Sequence, residues 1–324
     1  MLIEEERPVD LHPQLRELLT ELEAAGYPDQ TTVSPEEARR ITDDRAARHY
    51  GPQEPVDHVL ERPFVGPDGL VKLRIYWPKG VARAARPLPI MIYYHGGGWV
   101  LGSLKSHDRG VRALTNAARC VSVSVDYRLA PENPFPAAVE DCAAALRWVA
   151  ENAAAFDGDP SRIAVAGDSA GGNLAAVTAL RARDEGGPKL AFQLLIYPVV
   201  DSALERPSYI EHADAPMLQG RRMAFFWDSY VPDAAQRTDW RAAPFRASDL
   251  SGLPPTMIVA SGIDPLVDEG KAYAERLEQA GVPVDYRLFP RMTHAFFQAP
   301  GRLDDSRAAS DAAGAALRKA FGND

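Results

Sequence analysis

Gly167-Asp168-Ser169-Ala170-Gly171-Gly172 sets a serine at G-x-S-x-G spacing, between the strand-like run Arg162-Ile163-Ala164-Val165-Ala166 and the helix-like run Asn173-Leu174-Ala175-Ala176-Val177-Thr178-Ala179-Leu180. A serine on a sharp strand-to-helix turn stands above a sheet edge with a helix N-terminus behind it. Flanking glycines permit a backbone approach that larger side chains would block. That placement suits a nucleophile. It also suits a plain small-residue turn where a helix packs on a strand, so the reading depends on whether the serine has partners. An acyl-transfer serine needs donors for a developing oxyanion, a base for its proton and an acid to orient the base.

The donors are sought at the end of another strand. Pro89-Ile90-Met91-Ile92-Tyr93-Tyr94 reads as a buried strand, and His95-Gly96-Gly97-Gly98-Trp99 follows it. Three consecutive glycines leave backbone N–H groups unshielded. A phosphate loop would require G-x-x-x-x-G-K-[ST], and no Lys-Ser or Lys-Thr follows here. The oxyanion donors are therefore expected to be Gly97, Gly98 and Ala170, the residue after the serine. His95 is expected to support the glycine loop, because a base must approach the substrate from another side.

The chain has 7 histidines. Among them, only His294 lies in a late loop directly after a strand pattern, Val284-Asp285-Tyr286-Arg287-Leu288-Phe289. It is the expected base. The acid should lie between serine and histidine, again past a strand end. Pro255–Ala260 is such a strand, and Ser261-Gly262-Ile263-Asp264-Pro265-Leu266 follows it. Asp264 is the expected acid, although Asp-Pro is also an ordinary helix start. Asp268 is the second candidate, but it falls inside a helical run. The order Ser169, Asp264, His294 is that of the α/β-hydrolase fold.

Strand patterns at Val56–Glu61, Leu70–Trp77, Pro89–Tyr94, Cys120–Asp126, Arg162–Ala166, Ala191–Tyr197, Pro255–Ala260 and Val284–Phe289 alternate with helices from the third strand onward. This predicts an α/β protein with a mostly parallel eight-stranded sheet flanked by helices, its first pair an antiparallel edge joined at Gly66-Pro67-Asp68-Gly69. Residues 1–52 carry two amphipathic helices and no strand: Leu11, Leu15, Leu18, Leu19 and Leu22 recur at helical spacing, and Ser34-Pro35-Glu36-Glu37 is a capping box, with Gly51 closing that helix. The alternation breaks again over 201–239, around Phe225-Phe226-Trp227. The expected organisation is an N-terminal helical cap segment (1–52), the first part of the catalytic core (53–200), a second cap segment (201–239) and the rest of the core (240–324). Trp99, Met217, Leu218 and Phe225 are the expected substrate contacts. Leu303–Phe321 is expected to be a packing helix.

The motifs together resemble the bacterial carboxylesterases related to hormone-sensitive lipase. The matching residues are His95–Trp99, Asp126-Tyr127-Arg128-Leu129-Ala130-Pro131-Glu132, Gly167–Gly172, Asp264-Pro265-Leu266 and His294, spanning about Pro89 to Phe297. One departure is Ala295, where the family usually has glycine, which implies a backbone that alanine can adopt. The resemblance implies hydrolysis of short- to medium-chain carboxylic esters through an acyl-enzyme, a helical cap, a small-molecule ester substrate and, as often in the family, a homodimer. An amidase or deacetylase would use the same triad. Receptor-like plant relatives lack the catalytic histidine, which this chain retains, so a non-catalytic binding protein is disfavoured.

Composition narrows the classes further. Lys+Arg number 36 against 45 Asp+Glu, a net charge of −9, which disfavours nucleic acid and anionic membrane surfaces. Met1–Pro8 is acidic and lacks an apolar h-region, so no secretory signal is expected. No run approaches a membrane span. Cys120 and Cys142 sit in apolar patterns, expected as reduced thiols in the cytoplasm. Neither they nor the histidines show metal-ligand spacing, and no metal or cofactor is expected.

Overall fold

The computed structural model describes residues 10–81 and 87–323, so the acidic Met1–Pro8 stretch lies outside the described residues. Eight strands form one sheet: β1 (His58–Gly66), β2 (Gly69–Trp77), β3 (Leu88–Tyr94), β4 (Val121–Asp126), β5 (Gly158–Asp168), β6 (Leu190–Ile196), β7 (Thr256–Ile263) and β8 (Val284–Thr293). Their order is β1-β2-β4-β3-β5-β6-β7-β8. β1 pairs antiparallel with β2, and β2 with β4, while every later pairing is parallel.

β3 explains why the sheet sits between two layers. All of its residues are buried, as expected of a central parallel strand covered on both faces. Ile90, Ile92 and Tyr94 join one apolar cluster and Met91 and Tyr93 the other, because side chains alternate across a strand. The first cluster packs α4 (Ala137–Asn152), α5 (Ala170–Asp184) and α8 (Val267–Gln279); the second packs α1 (Pro13–Ala24), α3 (Asp108–Ala118) and α9 (Asp304–Phe321). Each fully buried Leu, Ile or Val contributes roughly 1.5–3 kcal/mol.

The remaining helices are α2 (Pro35–His49), α6 (Pro207–Glu211) and α7 (Gly220–Tyr230). Ser34 caps α2, its Oγ accepting from Glu37 N at 3.2 Å. Arg39 on α2 donates Nε to Val100 O at 2.9 Å and Nη2 to Ala130 O at 3.0 Å, and its guanidinium forks onto Glu132. α7 buries Met223, Phe226, Trp227 and Tyr230. The 201–239 segment is also tied to the start of α8, where Asp268 Oδ2 accepts from Ser208 N at 2.8 Å.

β1 runs through Pro63 to Gly66, beyond the expected end at Glu61. As an edge strand it has a ladder partner on one side only, so the missing proline N–H can face solvent. β8, the opposite edge, likewise continues past Pro290 to Thr293. Its extension delivers His294.

Candidate active site

Ser169 follows the last residue of β5 and immediately precedes α5, with φ +56° and ψ −121°. A non-glycine residue there is strained and is held only where its surroundings over-determine it. Here Ser169 N donates to Ile196 O at 2.8 Å, while Ser169 O accepts from Asn173 N at 3.0 Å and Val199 N at 3.2 Å. A Cβ on Gly171 would lie 1.9 Å from Tyr94 O, so the first turn of α5 can press against β3 only because that position is glycine.

The three expected triad residues meet. His294 Nε2 lies 2.8 Å from Ser169 Oγ, and His294 Nδ1 lies 2.7 Å from Asp264 Oδ2. With Nδ1–H donating to the carboxylate, Nε2 is left to accept the serine proton. Asp264 is fully buried, and its other oxygen accepts from Leu266 N at 3.0 Å. The turn-starting role of Asp-Pro and the histidine-orienting geometry therefore coexist on one side chain.

The glycine loop flanks the serine. Gly97 has φ +119° and Gly98 φ +60°. Added Cβ atoms would meet Leu101 O at 2.4 Å and the Phe226 ring at 2.2 Å. Among the described residues no acceptor is recorded for either N–H. Ala170 is the first residue of α5, where an N–H has no intrahelical acceptor. His95 is fully buried behind the loop; its ring bonds Gly96 O at 2.9 Å and stacks on Tyr127 at 4.4 Å. Burial pushes its pKa down to about 3, so it stays neutral near pH 7.

Asp168, Tyr93 and His107 form a second polar group that the sequence reading did not single out. Asp168 Oδ1 accepts from Tyr93 OH at 2.7 Å and from Gly96 N at 3.0 Å, and Oδ2 lies 3.3 Å from His107 Nε2. Burial opposes the Asp168 charge, yet His107 and Tyr93 hold its pKa below the ordinary aspartate value. This carboxylate fastens the start of the glycine loop to the residue before the serine. Its place inside the G-x-S-x-G motif was the available signal.

One cavity is lined by Ser169, His294, Gly97 and Gly98 from the core, by Gln30, Thr42, Arg45 and Tyr50 from the N-terminal segment, and by Met217, Leu218, Arg222 and Phe226 from the 201–239 segment. The space open to the centres of water molecules is ≈ 110 Å³. Two expected contacts are corrected. Phe225 does not line the cavity; Phe226 does, because one residue along a helix turns a side chain by about 100°. Trp99 is fully buried away from it, stacked on Tyr230 at 4.2 Å and against Trp227 at 5.0 Å. Positive φ at both Gly98 and Trp99 turns the chain so that the indole wedges between the loop and α7. The departure at Ala295 has a cost: the residue sits in the left-handed region at φ +65°.

Among the described residues, no group of three or more His, Cys, Asp or Glu side chains could hold a metal ion, and no helix is long and apolar enough to cross a membrane.

The family profile described as the α/β-hydrolase fold matches residues 91–298. A carboxylesterase of Mycobacterium tuberculosis, NlhH, is 52% identical over 243 residues, covering 73% of this chain and 75% of the relative. An ethyl acetate hydrolase of Pseudomonas putida is 34% identical over 310 residues, covering 92% and 95%. Among solved structures, an ester-hydrolase from the metagenome of Lake Arreo, complexed with a derivative of bipyridine phosphonate, superposes with a TM-score of 0.91 at 42% identity, covering 96% of this chain and 99% of that one. The chain belongs to the α/β hydrolases, within the carboxylesterase family related to hormone-sensitive lipase.

Proposed function

We propose that the chain is a serine carboxylesterase in which Ser169 is the nucleophile, His294 the general base and acid, and Asp264 the residue that orients His294. The hydrogen-bonded path from Ser169 Oγ through His294 to Asp264, at 2.8 and 2.7 Å, is the observation that carries this reading. The esterase names of its relatives support it.

In this mechanism Ser169 Oγ attacks the ester carbonyl carbon as its proton passes to His294 Nε2. The C–O π pair moves onto oxygen, where Gly97, Gly98 and Ala170 N–H groups receive it. Collapse breaks the bond to the alcohol, which leaves with the proton from His294, and the acyl group stays on Ser169. Water then enters, gives a proton to the same nitrogen and attacks the acyl carbon. Collapse of that second tetrahedral state frees the acid and restores the serine hydroxyl. Each oxyanion donor is worth on the order of 3 kcal/mol of the barrier.

Residues 1–52 and 201–239 act as two halves of a cap, for which their joint lining of the cavity is the support. Met217, Leu218 and Phe226 give the cavity an apolar side, which suits short- to medium-chain esters. The enzyme works in the cytoplasm in this reading, consistent with Cys120 and Cys142 being free, buried thiols.

The test is Ser169→Ala with p-nitrophenyl butyrate. Hydrolysis is expected to fall to background while thermal unfolding stays cooperative. A folded variant turning over at the unaltered rate sinks the assignment.

A further inference from the structure

The cavity that holds Ser169 is lined by cationic side chains as well as apolar ones. Arg45 on α2 and Arg222 on α7 both line it. Arginine is always charged and offers five donors in a rigid fork. Among the described residues Arg45 reaches only neutral acceptors in hydrogen bonding: Nη1 lies 3.5 Å from Gln30 Oε1, and Nη2 3.3 Å from the Met217 sulfur, a weak acceptor. Arg222 Nη2 meets Asp29 Oδ1 at 3.2 Å and Nη1 meets Met217 O at 3.3 Å. In both side chains the Nε donor is buried without an acceptor among the described residues. Buried donors are almost always satisfied, and leaving one unpaired is costly.

Charge points the same way. Asp29 is the one carboxylate paired with Arg222, and it also accepts from Thr31 and lies 3.9 Å from Arg221. Burial lowers the Arg222 pKa, Asp29 offsets part of that, and Arg45 and Arg221 push in the same direction as burial. Asp168, the carboxylate that lines the same cavity, is held by Tyr93, Gly96 and His107, so Arg45 is left without a carboxylate partner among the described residues.

We propose that Arg45 and Arg222 form an anion subsite, and that the ester this enzyme is built to cleave carries a carboxylate. This rests on the esterase reading above. Arg45 lacks a carboxylate of its own, and a planar carboxylate fits a guanidinium fork. The substrate class is therefore the monoesters of dicarboxylic acids, or the acyl esters of hydroxy acids.

The experiment compares kcat/KM on two isosteric pairs. Monoethyl succinate against ethyl 4-methylpentanoate places the carboxylate on the acyl side. 3-Acetoxypropanoate against 3-methylbutyl acetate places it on the alcohol side. The wild-type enzyme is expected to favour the carboxylate in one pair by about tenfold or more, with the preference shrinking as salt is added. Arg45→Gln and Arg222→Gln are each expected to cut that ratio about tenfold, as loss of a charge-assisted bond predicts. Preference for the neutral ester in both pairs overturns the subsite, as does a carboxylate preference that both variants retain. Should a variant not fold, the wild-type ratios and their salt dependence still decide. An enzyme that hydrolyses none of the four esters, and whose Ser169 is not labelled by an organophosphonate, overturns the esterase reading instead.

Discussion

Arg39 and Glu132 meet through a two-pronged pair, Nη1–Oε1 at 2.9 Å and Nη2–Oε2 at 2.7 Å, that joins α2 to the loop after β4. Glu132 is half exposed, so the pair alone contributes little. The same guanidinium also satisfies the Val100 and Ala130 carbonyls, which are buried residues of the core. Arg39→Ala is therefore expected to cost about 2 kcal/mol, and Glu132→Ala less than 1 kcal/mol. Chemical denaturation of the two variants checks this. Equal losses would mean that the carbonyl contacts contribute nothing.

Gly98 faces the Phe226 ring at a distance no Cβ could share, and its φ is +60°. Gly98→Ala is expected to lower kcat for a simple ester by on the order of 10²-fold, with a smaller change in KM, because the displaced N–H serves the tetrahedral state more than the ground state. Adding Phe226→Ala relieves the overlap but not the backbone strain, so recovery should be partial. Full recovery would show that the left-handed backbone is no obstacle.

Ala295 occupies the left-handed region directly after His294. Left-handed φ costs an L-residue roughly 1–2 kcal/mol, and glycine gives back about 0.5–1 kcal/mol through a freer unfolded chain. Ala295→Gly should thus raise stability, by up to about 1.5 kcal/mol, without loss of activity. A lower denaturation midpoint would place the strain elsewhere.

Glu269 on α8 is fully buried, and burial pushes its pKa up to about 8 although Val200 N, Asp201 N and Tyr209 OH bond to it and favour the anion. The folded protein binds this proton more tightly than the unfolded chain, whose glutamate titrates near 4.3. The group's stability is therefore fully present below that pH and is lost as pH rises through about 8. Glu269→Gln keeps acceptors for both backbone donors and does not titrate. Its melting temperature is expected to gain on wild type from pH 5 to pH 8.5. A constant difference across that range would mean that Glu269 is ionised throughout.

The three candidate residues were legible because each sits just past the carboxyl end of a strand, and strand ends are readable from apolar runs. Ser169, Asp264 and His294 needed only chain order to be brought together. Trp99 and Phe225 were misplaced for a different reason. Their direction depends on one backbone torsion and on 100° of helix rotation, neither of which local composition determines. Arg45 and Arg222 were invisible as a pair, since an arginine on an amphipathic helix ordinarily faces solvent. Ala295 was read as an unremarkable departure, and only its torsion angle exposes the strain.

Asp29 and Arg222 are 193 positions apart, yet they are hydrogen-bonded at 3.2 Å, and Arg222 lines the cavity that holds Ser169. On a ribosome adding about 5–20 residues each second, Asp29 emerges roughly ten to forty seconds before its partner exists. His294 arrives later still. In the proposed mechanism the base thus arrives after both sides of the selecting chamber, so the growing chain does not act on esters before its selectivity exists.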